Sequence, residues 1–208
     1  MLRSMHTQYL TITAESRYEI EKLKGSRFLA CALPVKSEDD ALAYLEALRS
    51  EFHDARHHCS AWRLTPAGDP WRYSDDGEPS GSAGRPILKQ IEGADLCDVI
   101  VVVIRWFGGT KLGVGGLMRA YGTATRAVLE AAETKLVVLT KRVELRYPYG
   151  FEGAVQGLLS AGGQVPVDSK YGEEIMLALD VPLPQVDEFA AEFIERTAGR
   201  GKVDYSSS

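Results

Sequence analysis

Cysteine is scarce in this chain: Cys31, Cys59 and Cys97 are the only three in 208 residues, odd in number and far apart. That spacing argues against a disulfide framework and against a thiolate zinc site, and leaves all three as small buried hydrophobes. Long apolar runs are missing too. The Val99 to Ile104 stretch is far too short to span a bilayer, and the amino-terminal MLRSMHTQYL has no apolar core of a secretory signal. A cytosolic, cytoplasmic protein is expected. An overall excess of positive charge is absent as well. Residues 1–140 carry 17 Lys and Arg against 18 Asp and Glu, residues 141–208 carry 7 against 11, and the net charge is −5. A generally basic nucleic-acid binder is thereby excluded, and contact with a polyanion would have to come from a focused patch. With 45% hydrophobic and 25% charged residues the composition is that of an ordinary globular protein, long enough for one large domain or two small ones.

One stretch supplies such a patch. Arg105 to Arg126, RWFGGTKLGVGGLMRAYGTATR, contains no acidic residue. It follows Val99 to Ile104, which is apolar on both faces of a period-two pattern and is expected to form a central strand covered on both sides. Gly108, Gly109, Gly113, Gly115 and Gly116 then make a flexible loop. From Leu117 a helix is expected, with Leu117, Ala120, Tyr121, Ala124, Val128 and Ala131 inward and Arg119, Thr123 and Arg126 on another face. The free amides and dipole of a helix start favour an anion, and Arg105, Lys111 and Arg119 could stand around the same spot. A phosphate is the natural guest. The competing use of such glycines is a tight turn and close packing, with the bases merely solvated. The loop has neither the G-x-x-x-x-G-K-[ST] order nor the spacing of a dinucleotide fingerprint, so neither a nucleotidase nor a dehydrogenase follows.

Elsewhere, strands are expected near Tyr9 to Thr13, Tyr18 to Leu23, Arg27 to Pro34, His57 to Leu64 and Trp71 to Ser74, with turns at Gly25-Ser26 and Pro66 to Pro70. Ser37 should cap a helix to about Phe52, with Glu38, Asp39 and Asp40 in its first turn and Ala41, Leu42, Leu45 and Leu48 along one face. A second helix is expected near Ala83 to Ile91, and the long helix ends near Glu133. After Lys135 the pattern is β-α-β-β-α-β: a strand over Leu136 to Tyr147, a helix over Gly150 to Ala161, strands over Gln164 to Tyr171 and Glu174 to Val181 about a turn at Gly172, a helix over Pro184 to Thr197 and a strand over Lys202 to Tyr205. Only Ser206 to Ser208 is of low complexity.

A second chemical cluster is Ser74 to Pro86. Asp75, Asp76 and Glu78 could hold a hard divalent ion, but the spacing is wrong for an EF-hand, and a turn or salt bridges are the simpler use. Ser80 or Ser82 could cap the following helix, and Ser80, Ser82 and Arg85 could close the far wall of the anion site. On a strand His57 and Cys59 face one way and His58 the other, so the three do not converge on one ion, and a packed histidine is the simpler reading. Trp62 and Trp106 are expected in the core or at its rim.

Ser26-Arg27-Phe28, Ala55 to Cys59 with Ala61-Trp62-Arg63, Ser74 to Leu88 and Val101 to Tyr121 resemble, in this order, the motifs of the YigZ/IMPACT family, with Arg56 and His58 where the pattern has Thr and Asn. The Asp-Asp-Gly-Glu-Pro-Ser-Gly and Arg-aromatic-aromatic-Gly-Gly-x-x-Leu-Gly segments are the most specific. The resemblance covers essentially the whole chain. It implies an α+β protein: an N-terminal α/β sandwich domain like the second domain of a small-subunit ribosomal protein, over residues 1–135, and a ferredoxin-like C-terminal domain over residues 136–208, similar to the last domain of elongation factor G. Eukaryotic relatives restrain a stress-responsive translation-factor kinase by competing for its activator, and carry an additional N-terminal domain that this chain is expected to lack.

Together these observations lead to the expectation of a regulatory binding protein near translation, without catalysis, cofactor or metal. Its glycine-rich cleft would hold RNA or ribosome backbone, or a phosphate-bearing small molecule. Gly108 to Gly116 would supply amides, while Arg105, Lys111, Arg119 and Arg126 neutralise charge. The alternative is an enzyme on a phosphate ester or nucleotide, with Asp75, Asp76 or Glu78 holding a metal and His57 as general base.

Overall fold

The computed structural model describes residues 7–64 and 70–205. The turn expected at Pro66 to Pro70 lies, Pro70 apart, outside the described residues, as does the Ser206 to Ser208 tail. The chain divides into two compact units, one ending at Val137 and the other beginning at Val138.

The first unit runs β1 (Gln8–Ile12), β2 (Ser16–Leu23), β3 (Ser26–Pro34), α1 (Glu38–Glu51), β4 (His57–Arg63), β5 (Trp71–Ser74), α2 (Gly84–Gly93), β6 (Val99–Trp106), α3 (Val114–Ala131) and β7 (Thr134–Val138). Five strands pair in the order β2-β3-β6-β4-β5, antiparallel throughout. The apolar run of β6 sits at the centre. Val99, Val101 and Val103 face a core shared with Ile87 and Ile91 of α2 and Leu117, Tyr121 and Val128 of α3. Ile100, Val102 and Ile104 face the other way, against Leu45 and Leu48 of α1. Unbroken apolar strands are commonest in parallel sheets; here the sheet is antiparallel, and α1 on the second face removes the polar alternation.

The helices show how local sequence sets position. Ser37 caps α1 by accepting from the Asp40 amide at 3.1 Å, and Ala41, Leu45 and Leu48 are buried, whereas Leu42, expected inward, is exposed at the rim of the face. In α3 the expected stripe is buried except Ala131, which is exposed in the last turn. The apolar stretch expected as one strand from Leu136 to Tyr147 is two. β7 pairs with β1 in a separate ribbon, and β8 (Thr140–Tyr147) enters another sheet. No Gly or Pro marks this exchange of partners, so periodicity runs straight through it.

The second unit continues with α4 (Glu152–Ala161), β9 (Asp168–Tyr171), β10 (Ile175–Pro182), α5 (Val186–Arg196) and β11 (Lys202–Tyr205). Its antiparallel sheet has the order β11-β8-β10-β9, the ferredoxin-like arrangement. Val143, Leu145, Leu177 and Leu179 pack on Val155 and Leu158 of α4 and Phe189 and Phe193 of α5. β9 begins later than expected because Pro166 has no N–H to offer a ladder. Among the described residues no helix is long and apolar enough to cross a membrane.

A candidate anion-binding cleft at the start of the long helix

The inward face of the sheet turns polar where β6 ends. Arg105 pairs with Phe28 of β3 on one side and His57 of β4 on the other, in a row beneath α2 and α3. Over this row lies the acidic segment. Arg105 donates to Glu78 Oε1 at 2.6 Å, and the Tyr121 hydroxyl donates to the same oxygen at 2.8 Å. The two charged side chains are only 6% and 4% exposed, so each offsets a charge that would otherwise be buried alone. Arg105 also reaches Ser26 Oγ at 3.3 Å, stands over the Phe28 and Phe107 rings, and leaves its Nε without a hydrogen-bond partner. Arg105 was expected to neutralise a ligand; its charge is matched from inside by Glu78.

The other two carboxylates are also committed. Asp75 accepts from the amides of Gly81 at 2.8 Å and of Ala83 and Gly84 at 2.9 Å, so Asp75 closes the start of α2, in place of the expected Ser80 or Ser82. Ser82 is fully buried and its hydroxyl is unpartnered, so it forms no wall of an open site. Asp76 accepts from the His58 amide at 2.6 Å and from Arg49 of α1 at 3.0 Å. The three carboxylates therefore point to three different partners. Among the described residues no three His, Cys, Asp or Glu side chains are grouped to hold a metal ion.

His57 Nδ1 lies 2.7 Å from the Asp76 carbonyl oxygen, which fixes the proton on that nitrogen, and its Nε2 lies 4.0 Å from Glu78. His58 faces α1 instead, and burial lowers its pKa despite the nearby Asp76. The Cys59 thiol donates to the Asp75 carbonyl oxygen at 3.0 Å, and burial drives its pKa well above the ordinary thiol value. A thiol held protonated in this way is a poor nucleophile. Burial raises the Tyr121 hydroxyl likewise.

The glycines divide between the two uses considered above. Gly108 serves packing: a Cβ there would lie 1.9 Å from the Gly25 carbonyl carbon. Gly109 and Gly113 face open space, and Gly113, with φ +73°, opens α3 with no side-chain cap. The first-turn amides of α3, including those of Gly115 and Gly116, thus meet no capping side chain. At the start of α3 is a cleft of about 310 Å³ lined by Lys111, Gly113, Val114, Leu117, Glu78 and Arg105, while Gly116 lines a different pocket.

The expected cations do not converge on one point. Lys111 and Arg105 share the cleft. Arg119 lies one helical turn along, in a neighbouring groove with Ser80 and Arg85 that meets the cleft at Val114. Arg126 sits beyond both, beside Leu10, Gln90 and Glu130, 3.9 Å from the Glu130 carboxylate. Two turns of helix separate it from Arg119, too far for one phosphate. Sequence reasoning missed Lys89, Trp71 and Tyr73 in that groove. The period-two spacing of Trp71 and Tyr73 was the available signal, and it was spent on assigning the strand.

An antiparallel α/β sandwich with a basic cleft at a helix start, followed by a ferredoxin-like unit, defines a two-domain α+β protein whose charged site lies in its first unit. The chain belongs to the IMPACT family: the model of the Impact N-terminal domain matches residues 24–129, which hold the cleft and all its charged partners. It is 33% identical over 182 residues to the IMPACT family member YigZ of Escherichia coli K12, covering 86% of this chain and 89% of that one. It is 42% identical over 160 residues to an IMPACT family member of Thermus thermophilus, covering 77% and 86%. The Saccharomyces cerevisiae Protein IMPACT homolog is 40% identical over 111 residues, 52% of this chain and 43% of that one. A crystal structure of a hypothetical protein superposes with a TM-score of 0.72 at 30% identity, covering 98% of this chain and all of the other.

Proposed function

We propose that this protein is a cytoplasmic regulatory binding protein of translation that holds an RNA phosphate in the cleft at the start of α3. The observation that carries the reading is the meeting of Lys111 with the uncapped first turn of α3 in one cleft. Glu78 and Arg105 cancel each other at its floor, so the net field comes from Lys111 and the helix dipole, both favouring an anion. Among the described residues Lys111 has no ion pair, which leaves its charge available to a ligand. Gly109 and Gly113, with nothing packed over them, let a phosphate approach the main chain. Membership of the IMPACT family supports the setting in translation. Contacts of this kind position a backbone without reading bases, so little sequence preference is expected.

The test is co-sedimentation with RNA or ribosomes at rising salt. The parent should bind and be released as salt rises, and Lys111→Glu should bind more weakly than the parent at low salt. Equal retention of parent and variant would remove the proposal.

A further inference from the structure

Beside the cleft, and sharing Val114 with it, runs a groove of about 1100 Å³ between β5, α2 and α3. One wall is aromatic. Trp71 and Tyr73, alternate residues on β5, are 48% and 41% exposed, with rings parallel to within 3° and centroids 6.2 Å apart. The strand register puts them there: Tyr73 pairs with Ala61, whose side chain belongs to the core under α2 and α3. The other wall is cationic. Arg85 and Lys89 stand four residues apart on α2, Arg119 faces them from α3, and all three are exposed. Among the described residues none of them has an ion pair, and only Glu92 brings opposite charge to the groove. Most arginines elsewhere in this unit are paired, as in Arg17–Glu51, Arg27–Glu19 and Arg49–Asp76.

We infer that this groove takes a single strand of RNA, with bases stacked on Trp71 and Tyr73 and backbone along Arg85, Lys89 and Arg119. The inference rests on the RNA-phosphate reading of the adjoining cleft and extends it from one phosphate to a strand. A positive groove beside aromatic faces is the arrangement that accepts single strands without reading sequence, since every base has a π face. A duplex keeps its bases stacked internally and cannot offer them to the rings. An acidic peptide would satisfy the cations but has no use for parallel rings, and an apolar peptide would leave three cations uncompensated.

The experiment measures binding of a short mixed-sequence RNA strand, free and annealed to its complement, with tryptophan emission as a second readout. The single strand should bind about tenfold or more tightly than the duplex and quench Trp71. Trp71→Ala and Tyr73→Ala should each weaken the single strand about tenfold while leaving the duplex unaffected. Trp71→Phe should keep the affinity and lose the quench. Both rings are exposed, so an unchanged thermal midpoint confirms that the variants remain folded. Single-strand affinity unchanged in both alanine variants but lost in Lys111→Glu would overturn the groove and leave the cleft standing. Affinity retained in Lys111→Glu but lost in Trp71→Ala would do the reverse. Displacement of the strand by polyglutamate as effective as by unlabelled RNA would also overturn the inference.

Discussion

Two charged regions of the first unit contrast sharply. In the segment from Asp75 to Glu78 every carboxylate is occupied by protein: Asp75 by three amides, Asp76 by His58 and Arg49, Glu78 by Arg105 and Tyr121. On the neighbouring face Arg85, Lys89, Lys111 and Arg119 are exposed and have no such partners among the described residues. The acidic segment is therefore a clasp joining α1, β4, α2, β6 and α3, and the basic face is where charge is left for something outside the fold. A dense cluster of carboxylates serves structure here; the sparser cations are the ones left unpaired, and the proposed function rests on them.

The largest effects are expected at the clasp. Removing Arg105, as in Arg105→Met, leaves the Glu78 carboxyl buried without its cation, and should cost about 3–5 kcal/mol in urea unfolding. Because the partner charge goes too, the double variant Arg105→Met/Glu78→Gln should recover part of that loss. Next comes Asp75→Ala, which strands three amides at the start of α2 and should cost about 2–4 kcal/mol by the same measurement. If both variants unfolded like the parent, the clasp would be no clasp.

A smaller effect is carried by pH. His58 is buried and its pKa lies below the ordinary imidazole value because burial disfavours the charged ring. The unfolded chain takes up a proton below about 6.5 that the native state resists. Stability should thus be fully present above that pH and fall as the medium becomes more acid, a slope that His58→Leu should flatten. The smallest expected stability change is at the basic face. Lys111→Glu and Arg85→Glu should move the unfolding free energy by no more than about 0.5 kcal/mol, since surface substitutions away from special features rarely do more. Their effect should fall on RNA binding alone.

The sequence made some of this contrast legible and hid the rest. The Val99 to Ile104 run announced a strand buried on both faces, and Ser37 with its acidic first turn announced α1, because local pattern decides both. The ferredoxin-like unit was legible for the same reason. The partners of Asp75, Asp76 and Glu78 were not, since Arg49, Arg105 and Tyr121 are distant in sequence and meet them only through the sheet register. The loop glycines looked alike on paper, yet Gly108 is packed against Gly25 while Gly113 opens the cleft, a distinction that only tertiary approach creates. Arg105 and Arg126 looked like members of one patch because the partner of Arg105, Glu78, is brought to it only by the tertiary fold, although Glu130, four residues on from Arg126 along the helix, was there to be read.

The most direct test of the contrast is the dependence of RNA affinity on salt, taken for the parent and for Lys111→Glu, Arg119→Glu and Asp76→Asn. Each lost phosphate contact should reduce the slope of log affinity against log salt by roughly 0.7. The account predicts shallower slopes for both cation reversals and a parent-like slope for folded Asp76→Asn. Parent-like slopes for Lys111→Glu and Arg119→Glu would contradict it.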